Sequence, residues 1–328
     1  MDLGIDLGTA NTVVSDVRRV IVFDEPSVML LRQPGARRPQ IQAVGREAAD
    51  LLGRAPARFT PVRPLQGGVV TDLETARLYL RAVLQRAGRR MWSPVRAVIG
   101  VPADSTALET RALLEAAQDA GIRPVTALDN PVAGAVGCGV DPLEARVHMV
   151  VDVGGGTAEA VAFCFGGVIG HRTSKVGGDQ MTVAVGRYLR EQHQLHVSEL
   201  EAERVKVLSA TEENGPLVVH GRDGGSGRAR LATVQASDVA VAVRPVVSEI
   251  VRALTSCLDD LPPQALADVL AEGVLVFGGA SLVHGFPEQL ESELGLPVKL
   301  AEEPLTCVAE GAARALRNRP LLRAYGRS

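Results

Sequence analysis

The sequence predicts an α/β protein built by duplication, and three observations carry that reading. Short β-branched runs alternate with amphipathic helical patterns from one end of the chain to the other. The stretch Leu3-Gly-Ile-Asp6-Leu-Gly8-Thr9 returns as Met149-Val-Val-Asp152-Val-Gly154-Gly155-Gly156-Thr157, each time as strand, aspartate, glycine and hydroxyl, followed by a second strand. Hydrophobic residues make up 46% of the 328 and charged residues 22%, enough apolar material for a sizeable core and too much for disorder.

In chain order, Leu3–Leu7 and Thr12–Val17 read as the first two strands. Leu31–Pro64 is rich in Pro, Gly and Arg with weak periodicity, and reads as a small inserted subdomain over about residues 31–66. Thr71-x-x-Glu74 has the spacing of a capping box and opens a helix with Leu73, Ala76, Leu80, Val83, Leu84 and Ala87 on its apolar face. Val95–Val101 reads as an apolar strand. Thr106-x-x-Glu109 opens a second helix, which Gly121 closes as a C-terminal glycine. Val147–Val153 is the repeated strand, and Ala160–Phe165 and Val168–Ser174 form a hairpin around Gly166-Gly167. Helices are expected at Asp179–Gln192, Ser198–Ser209 and Asp238–Leu258, then a strand at Val274–Phe277 and a last helix at Leu305–Arg319. The polar, Gly-rich stretch Asn214–Arg230 reads as an exposed loop.

Composition narrows the function. Thirty-five Lys+Arg against 38 Asp+Glu give a net charge of −3, and aromatics are 3%, so neither a polycation nor a base-stacking surface for nucleic acid is expected. Lysine occurs only as Lys175, Lys206 and Lys299. The four cysteines lack C-x-x-C spacing and read as buried thiols of a reducing compartment. No apolar run reaches membrane-spanning length, and the first strand begins too early for a signal peptide, so a cytoplasmic protein is expected. His193-x-x-His196 has no third ligand nearby and is set aside as a metal site.

The repeated hairpin carries the chemistry. A turn of Gly, Thr and Asn lets backbone N–H groups approach an anion, because no bulky side chain intervenes. An aspartate ending each preceding strand would repel a bare phosphate. The pairing makes sense when Asp6 and Asp152 hold hydrated Mg²⁺ that bridges to the phosphates.

Gly4-Ile-Asp-Leu-Gly-Thr-Ala-Asn-Thr12 resembles the first phosphate loop of the bacterial actin-like MreB/Mbl cell-shape family. Further stretches resemble the same family in order: Glu25-Pro-Ser-Val28, Arg63-Pro-Leu65, Val151-Asp-Val-Gly-Gly-Gly-Thr157, Val176-Gly-Gly-Asp-Gln-Met181, Ala202-Glu-Arg-Val-Lys206, Phe277-Gly-Gly-Ala-Ser-Leu282 and Glu303-Pro-Leu-Thr-Cys-Val-Ala-Glu-Gly311. The resemblance implies a duplicated actin-like (ribonuclease H-like) ATPase fold, with two lobes around a nucleotide cleft. Lobe I would hold residues 1–145 and a returning C-terminal helix at 305–328. Lobe II would hold residues 146–304, with a small subdomain at about 176–243.

It also implies ATP, with phosphates cradled by Gly8, Thr9, Ala10, Asn11 and Thr12 on one side and Gly154, Gly155, Gly156 and Thr157 on the other. Glu203, Arg204, Val205 and Lys206 would contribute the ribose and adenine side, Glu203 and Lys206 sharing one helical face. Gly278, Gly279, Ala280, Ser281 and Leu282 would let the adenosine lie against backbone. The family places a water-orienting glutamate before the proline at 131; here it is Asn130, which cannot accept a proton. With Thr157 as the second catalytic position, the resemblance implies a slow ATPase. Asp129 is adjacent, on what reads as an extended segment pointing the opposite way.

Residues 75–103 hold six arginines and no acidic residue. Within the loop 88–94, Arg89, Arg90, Met91 and Trp92 combine basic groups with the chain's single tryptophan. The resemblance implies that this loop dips into an anionic membrane surface, in keeping with the preference of indole for the headgroup level. The expected whole is a filament on the inner face of the cytoplasmic membrane that guides cell-wall synthesis proteins. The alternatives are a non-polymerising nucleotide-binding adaptor of that machinery and a small-molecule kinase of the same fold.

Overall fold

The computed structural model describes residues 1–18, 20–32, 39–89, 94–211 and 215–327. Leu3, Ile5 and Leu7 alternate along β1 (Asp2–Leu7), and β2 (Asn11–Asp16) and β3 (Ile21–Pro26) follow it. β4 (Met29–Arg32), β5 (Gln40–Val44), α1 (Arg46–Asp50) and β6 (Phe59–Val62) follow, then the short β7 (Leu65–Gln66) and β8 (Val69–Val70). The half is completed by α2 (Leu73–Arg86), β9 (Val95–Val101), α3 (Ala107–Ala120), β10 (Ile122–Asp129) and α4 (Asn130–Gly137). The second half runs β11 (His148–Val153), β12 (Ala158–Cys164), β13 (Gly167–Ser174), α5 (Gly178–His193), β14 (Leu195–His196), α6 (Glu199–Thr211), β15 (Pro216–Asp223), β16 (Ala229–Gln235), α7 (Ala236–Asp259) and α8 (Pro263–Glu272). β17 (Val274–Phe277), a 3₁₀ turn at Gly279–Leu282, α9 (Phe286–Leu294), β18 (Val298–Leu300), α10 (Cys307–Ala315) and α11 (Arg319–Tyr325) finish the chain.

The duplication is plain in the sheets. One has the order β3-β2-β1-β9-β10 and the other β13-β12-β11-β17-β18. In both, the first three strands are antiparallel neighbours and the last two join in parallel. Smaller sheets hang from each: β5-β4-β6 in the first half and β14-β15-β16 in the second.

Helices α4 and α10 lie between the large sheets, in a core of Val98, Leu128 and Val132 with Val150, Phe163 and Phe277. Small residues make this possible. A Cβ on Gly311 would stand 1.8 Å from Ala133 O, and one on Gly4 would stand 2.1 Å from Ala309 O. Here α10 meets helix and strand backbone at distances no side chain survives.

Most expected elements are present, and the differences have local causes. α2 is capped by Asp72, which accepts from Thr75 N–H at 2.7 Å, while Thr71 turns its hydroxyl back to Pro64 O. Thr106 and Glu109 do form a reciprocal capping box, and Gly121 closes α3 at φ 97°. The stretch read as a loop at 214–230 is largely the β15–β16 hairpin. Leu217 and Val219 are buried on alternate positions, and Gly221 is small because Leu195 and His196 O press against it. The last helix is two helices, since Asn318 caps a new one by accepting from Leu321 N–H at 3.1 Å. The segment before Pro131 is not extended throughout: Asp129 ends β10 and Asn130 already begins α4.

Candidate functional site: a cleft between duplicated hairpins

The two hairpin turns are built alike. Gly8 N–H donates to Asn11 O at 3.0 Å, and Gly154 N–H to Thr157 O at 2.9 Å. They also face each other: a Cβ on Gly155 would stand 3.0 Å from Ala10 Cβ, and one on Gly156 3.2 Å from Thr9 Oγ1. Helix α5 begins beneath the second turn, where Gly178 N–H bonds Gly154 O at 2.9 Å and Asp179 N–H bonds Gly155 O at 2.8 Å. Among the described residues the N–H groups of Thr9, Gly155, Gly156 and Thr157 have no backbone acceptor, so both turns offer donors to an anion.

Asp6 and Asp152 occupy the same place in β1 and β11, one residue before the strand end. Burial pushes the Asp6 carboxyl up to about 7. Burial and then the charge of Asp6 push Asp152 up to about 8. Two mutually repelling, desolvated carboxylates fit a hard cation that completes its shell with water and phosphate, as Mg²⁺ does. Directly across the ladder from Asp152 stands Glu159, 1% exposed. Its Oε1 accepts from Ala103 N–H at 2.8 Å, and among the described residues its Oε2 has no partner. Burial and the neighbouring Asp152 hold this carboxyl well above the usual range. Sequence reasoning missed it, although an acidic residue inside the otherwise apolar run Ala158–Cys164 was the available signal.

Between the halves lies a cavity of about 940 Å³, in the range of small-molecule sites. Ala10, Asn11, Gly154, Gly155, Glu203, Lys206, Gly279, Ala280 and Leu282 line it, from among the residues expected to touch nucleotide. Val183, Leu200 and Val207 add an apolar wall although they are 60%, 41% and 53% exposed. Lys206 is buried, donating to Gly178 O at 3.0 Å and Thr182 Oγ1 at 3.1 Å and pairing with Glu203 at 2.7 Å. It therefore pins the start of α5 beneath the second turn.

Other expected contacts stand elsewhere. Arg204 and Val205 are rotated away from the face shared by 203 and 206: Arg204 pairs with Glu201 and donates to Val218 O at 2.6 Å, and Val205 is core. Thr12 is fully buried and shares its hydroxyl with Ser27 and Tyr79. Ser281 turns its hydroxyl to Gly278 O at 2.6 Å. Gly278, at φ 90°, makes room for Asp152, since a Cβ there would stand 2.5 Å from Asp152 Oδ1. Gly8, Thr9, Gly156 and Thr157 adjoin the lining residues of their turns without lining the cavity themselves.

Asn130 also lies off the cavity wall. Its amide oxygen is buried, without a partner among the described residues, and presses on β9, where a Cβ on Gly100 would stand 2.2 Å from it. Asp129 is engaged by Arg327 at 2.7 Å; burial raises its carboxyl to about 6 against the pull of that cation.

Arg90, Met91 and Trp92 lie outside the described residues. The neighbouring arginines are not a free basic face. Arg89 donates to Ala120 O at 2.8 Å and Arg81 to Asp119 O at 2.6 Å, capping the end of α3. Arg86 bonds Val44 O at 2.9 Å and pairs with Glu25; Arg77 pairs with Glu74 and Arg96 with Asp2. Their partners come from the helix start and from other strands and helices, which a count within residues 75–103 could not reveal. Among the described residues no helix is long and apolar enough to cross a membrane.

Residues 1–323 match the family model described as MreB/Mbl protein. The chain is 36% identical over 323 residues to the cell shape-determining protein MreB of Escherichia coli K12, covering 96% of this chain and 93% of that protein. It is 34% identical over 322 residues to the cell shape-determining protein Mbl of Bacillus subtilis, covering 97% and 96%. Among solved structures it is similar to MreB5 of Spiroplasma citri bound to AMPPNP, with TM-score 0.89, 25% identity and 96% of each chain covered. It is also similar to the MamK double helical filament, with TM-score 0.79, 24% identity and coverage of 96% and 98%. The duplicated actin-like α/β fold expected from the sequence is the one this chain adopts.

Proposed function

The chain belongs to the MreB/Mbl family, and on that premise we propose that it binds ATP with Mg²⁺ and polymerises as a cell-shape cytoskeletal filament. The observation that carries this reading is the pair of hairpin turns that meet at the 940 Å³ cavity, with Asp6 and Asp152 on the strands that lead into them. Nucleotide-bound MreB5, with AMPPNP and with ADP, supports the ligand class. The MamK filament supports self-association.

In this reading residues 1–145 with 305–328 form lobe I and residues 146–304 form lobe II. Their small subdomains, at about 31–66 and 176–243, carry the insertions of each half. The N–H groups of the two turns hold phosphate oxygens, and Glu203 and the apolar wall of α5 and α6 hold the nucleoside. Bound Mg²⁺ would neutralise phosphate charge beside Asp6 and Asp152. Filaments lying on the inner face of the cytoplasmic membrane, with loop 88–94 at the lipid, would organise wall-synthesis proteins. Because Arg89 is committed to α3, lipid contact falls to Arg90, Met91 and Trp92, and filament multivalency supplies the avidity.

Sedimentation with and without ATP and anionic liposomes tests the whole. ATP-dependent pelleting that increases with liposomes is expected. Nucleotide binding without pelleting would establish the adaptor reading. ADP formation that requires an added sugar, with the phosphoryl group recovered on that sugar, would establish a kinase.

Hydrolysis is slow in this reading, with Thr157 beside the phosphates and no carboxylate at 130. Asn130→Glu is expected to raise single-turnover phosphate release by about tenfold or more, short of the roughly 10²–10⁴ of a well-placed base because the longer side chain must leave its packing on β9. An unchanged rate would remove position 130 from the chemistry.

A further inference from the structure

Arg327 ties together three segments that meet where α4 begins. Its backbone pairs with Ala127 on the open edge of the first large sheet, N–H to O at 2.9 Å in both directions. The guanidinium then crosses the sheet end. Nη1 donates to Ser105 O at 3.1 Å, Nη2 donates to Ala103 O at 3.2 Å, and Nη2 stands 2.7 Å from Asp129 Oδ1. The last is a contact of opposite charges.

The loop held on its carbonyl side by Arg327 is held on its amide side by the second half. Ala103 N–H bonds the buried Glu159 at 2.8 Å, and Glu159 stands across the ladder from Asp152. One guanidinium thus supports the residue before Asn130 and the loop that anchors Glu159. A planar fork of five donors can serve two carbonyls and a carboxylate together, whereas an ammonium on a flexible stem keeps the charge and loses the fork.

We propose that Arg327 is a positioning residue for the phosphate end of the cleft. It withdraws Asp129 from the chemistry, fixes the Ala103–Ser105 loop, and so keeps Asn130 and Glu159 in one arrangement relative to Asp152. It touches no nucleotide, so it acts on the rate and not on affinity. This rests on the reading that the cleft hydrolyses ATP, and the experiment keeps the two separable.

The full chain is compared as wild type, Arg327→Ala, Arg327→Lys, Asp129→Asn and the double variant Arg327→Ala/Asp129→Asn. ATP affinity is measured by calorimetry, phosphate release in single turnover, and amide exchange peptide by peptide. Arg327→Ala should slow turnover about fivefold or more while affinity stays within about twofold, and Lys should restore only part of the rate. In the Asp129→Asn background the same substitution should cost less than in wild type, what remains being the lost support of the Ala103–Ser105 loop. Exchange should rise in peptides covering 101–106 and 126–132. An unchanged rate and exchange in Arg327→Ala, or fully additive losses in the double variant, would overturn the proposal. Should wild type bind ATP without turnover, the hydrolysis reading falls, and the exchange of 101–106 still decides whether Arg327 positions the loop. If Arg327→Ala does not fold, Arg327→Lys and Asp129→Asn carry the same comparison.

Discussion

The two large sheets share strand order and pairing sense, yet their inner faces are not equivalent. Across the ladder from Asp6 stands Val13, and across from Asp152 stands Glu159. The insertions differ as well. Around the cavity the first half contributes chiefly Pro26, Val28, Ala49 and Leu52, with Arg63 as its charged member. The second half contributes Asp179, Glu199, Glu203 and Lys206. Duplication therefore supplies the paired hairpin turns, and divergence has gathered most titratable groups on one side. A symmetric scaffold can grip a symmetric feature such as a phosphate chain with its cation; reading the rest of a nucleotide needs the asymmetry.

The largest expected effect tests what the halves share. Asp6→Ala and Asp152→Ala should each weaken Mg²⁺-dependent ATP binding by about 100-fold, the scale of losing a group that orders a metal's shell. Calorimetry with and without Mg²⁺ checks it. A loss confined to one variant would mean that the duplicated aspartates do not act as a pair.

Exchanging the residue that differs comes next. Val13→Glu places a carboxyl without a partner in the core beside Asp6, and should cost about 3 kcal/mol or more in denaturant unfolding. Glu159→Val leaves Ala103 N–H unbonded, worth about 1–3 kcal/mol, but also removes a desolvated carboxyl, so its net cost should be the smaller. Equal costs would show that removing the Glu159 carboxyl relieves no desolvation penalty.

Much of this architecture was legible. The repeat Asp6-x-Gly8 and Asp152-x-Gly154 located both hairpins because turn chemistry is local. Thr106, Glu109 and Gly121 marked α3 for the same reason. What stayed hidden depends on partners distant in sequence. Gly221 and its polar neighbours looked like loop because the strand is half exposed, and its buried side rests on Leu195. Arg81 and Arg89 looked like a basic surface because the α3 carbonyls they cap lie more than thirty residues on. Asn130 was read through a family position, but its side chain is directed by Gly100, which leaves space on β9.

A third effect is one of pH. In the nucleotide-free protein Asp6 and Asp152 hold their protons up to about 7 and about 8, against 3.8 for an ordinary aspartate. Between pH 3.8 and about 8 the folded state thus binds more protons than the unfolded one, so stability is fullest below that window, is lost as pH climbs through 7 and 8, and levels off above it. Thermal melts at rising pH should show that decline, and Asp152→Asn should flatten it and melt above wild type at the alkaline end. Mg²⁺ with ATP should oppose the decline in wild type alone. A flat wild-type profile would mean that the two carboxyls are already ionised, and that no repulsion awaits a cation.

The smallest expected effect concerns α6, where the second half's insertion meets the cavity. Glu203 and Lys206 line it, and the intervening Arg204 does not. Glu203 is held by Lys206 at 2.7 Å and by the Thr182 hydroxyl, with its side chain 43% exposed. It is preset to accept a ligand hydroxyl, and Glu203→Ala should weaken ATP by about tenfold, near the value of one charge-assisted hydrogen bond. Arg204 spends its guanidinium on Glu201 and Val218 O, joining α6 to β15. Arg204→Ala should therefore leave ATP affinity within about twofold and cost less than about 1 kcal/mol of stability, as partly exposed ion pairs do. If Arg204→Ala weakened ATP as much as Glu203→Ala, α6 would have to turn about its axis when nucleotide binds. Val205 would then leave the core, and the burial of that residue makes such a turn costly enough to appear as a large heat-capacity change in the same calorimetric titration.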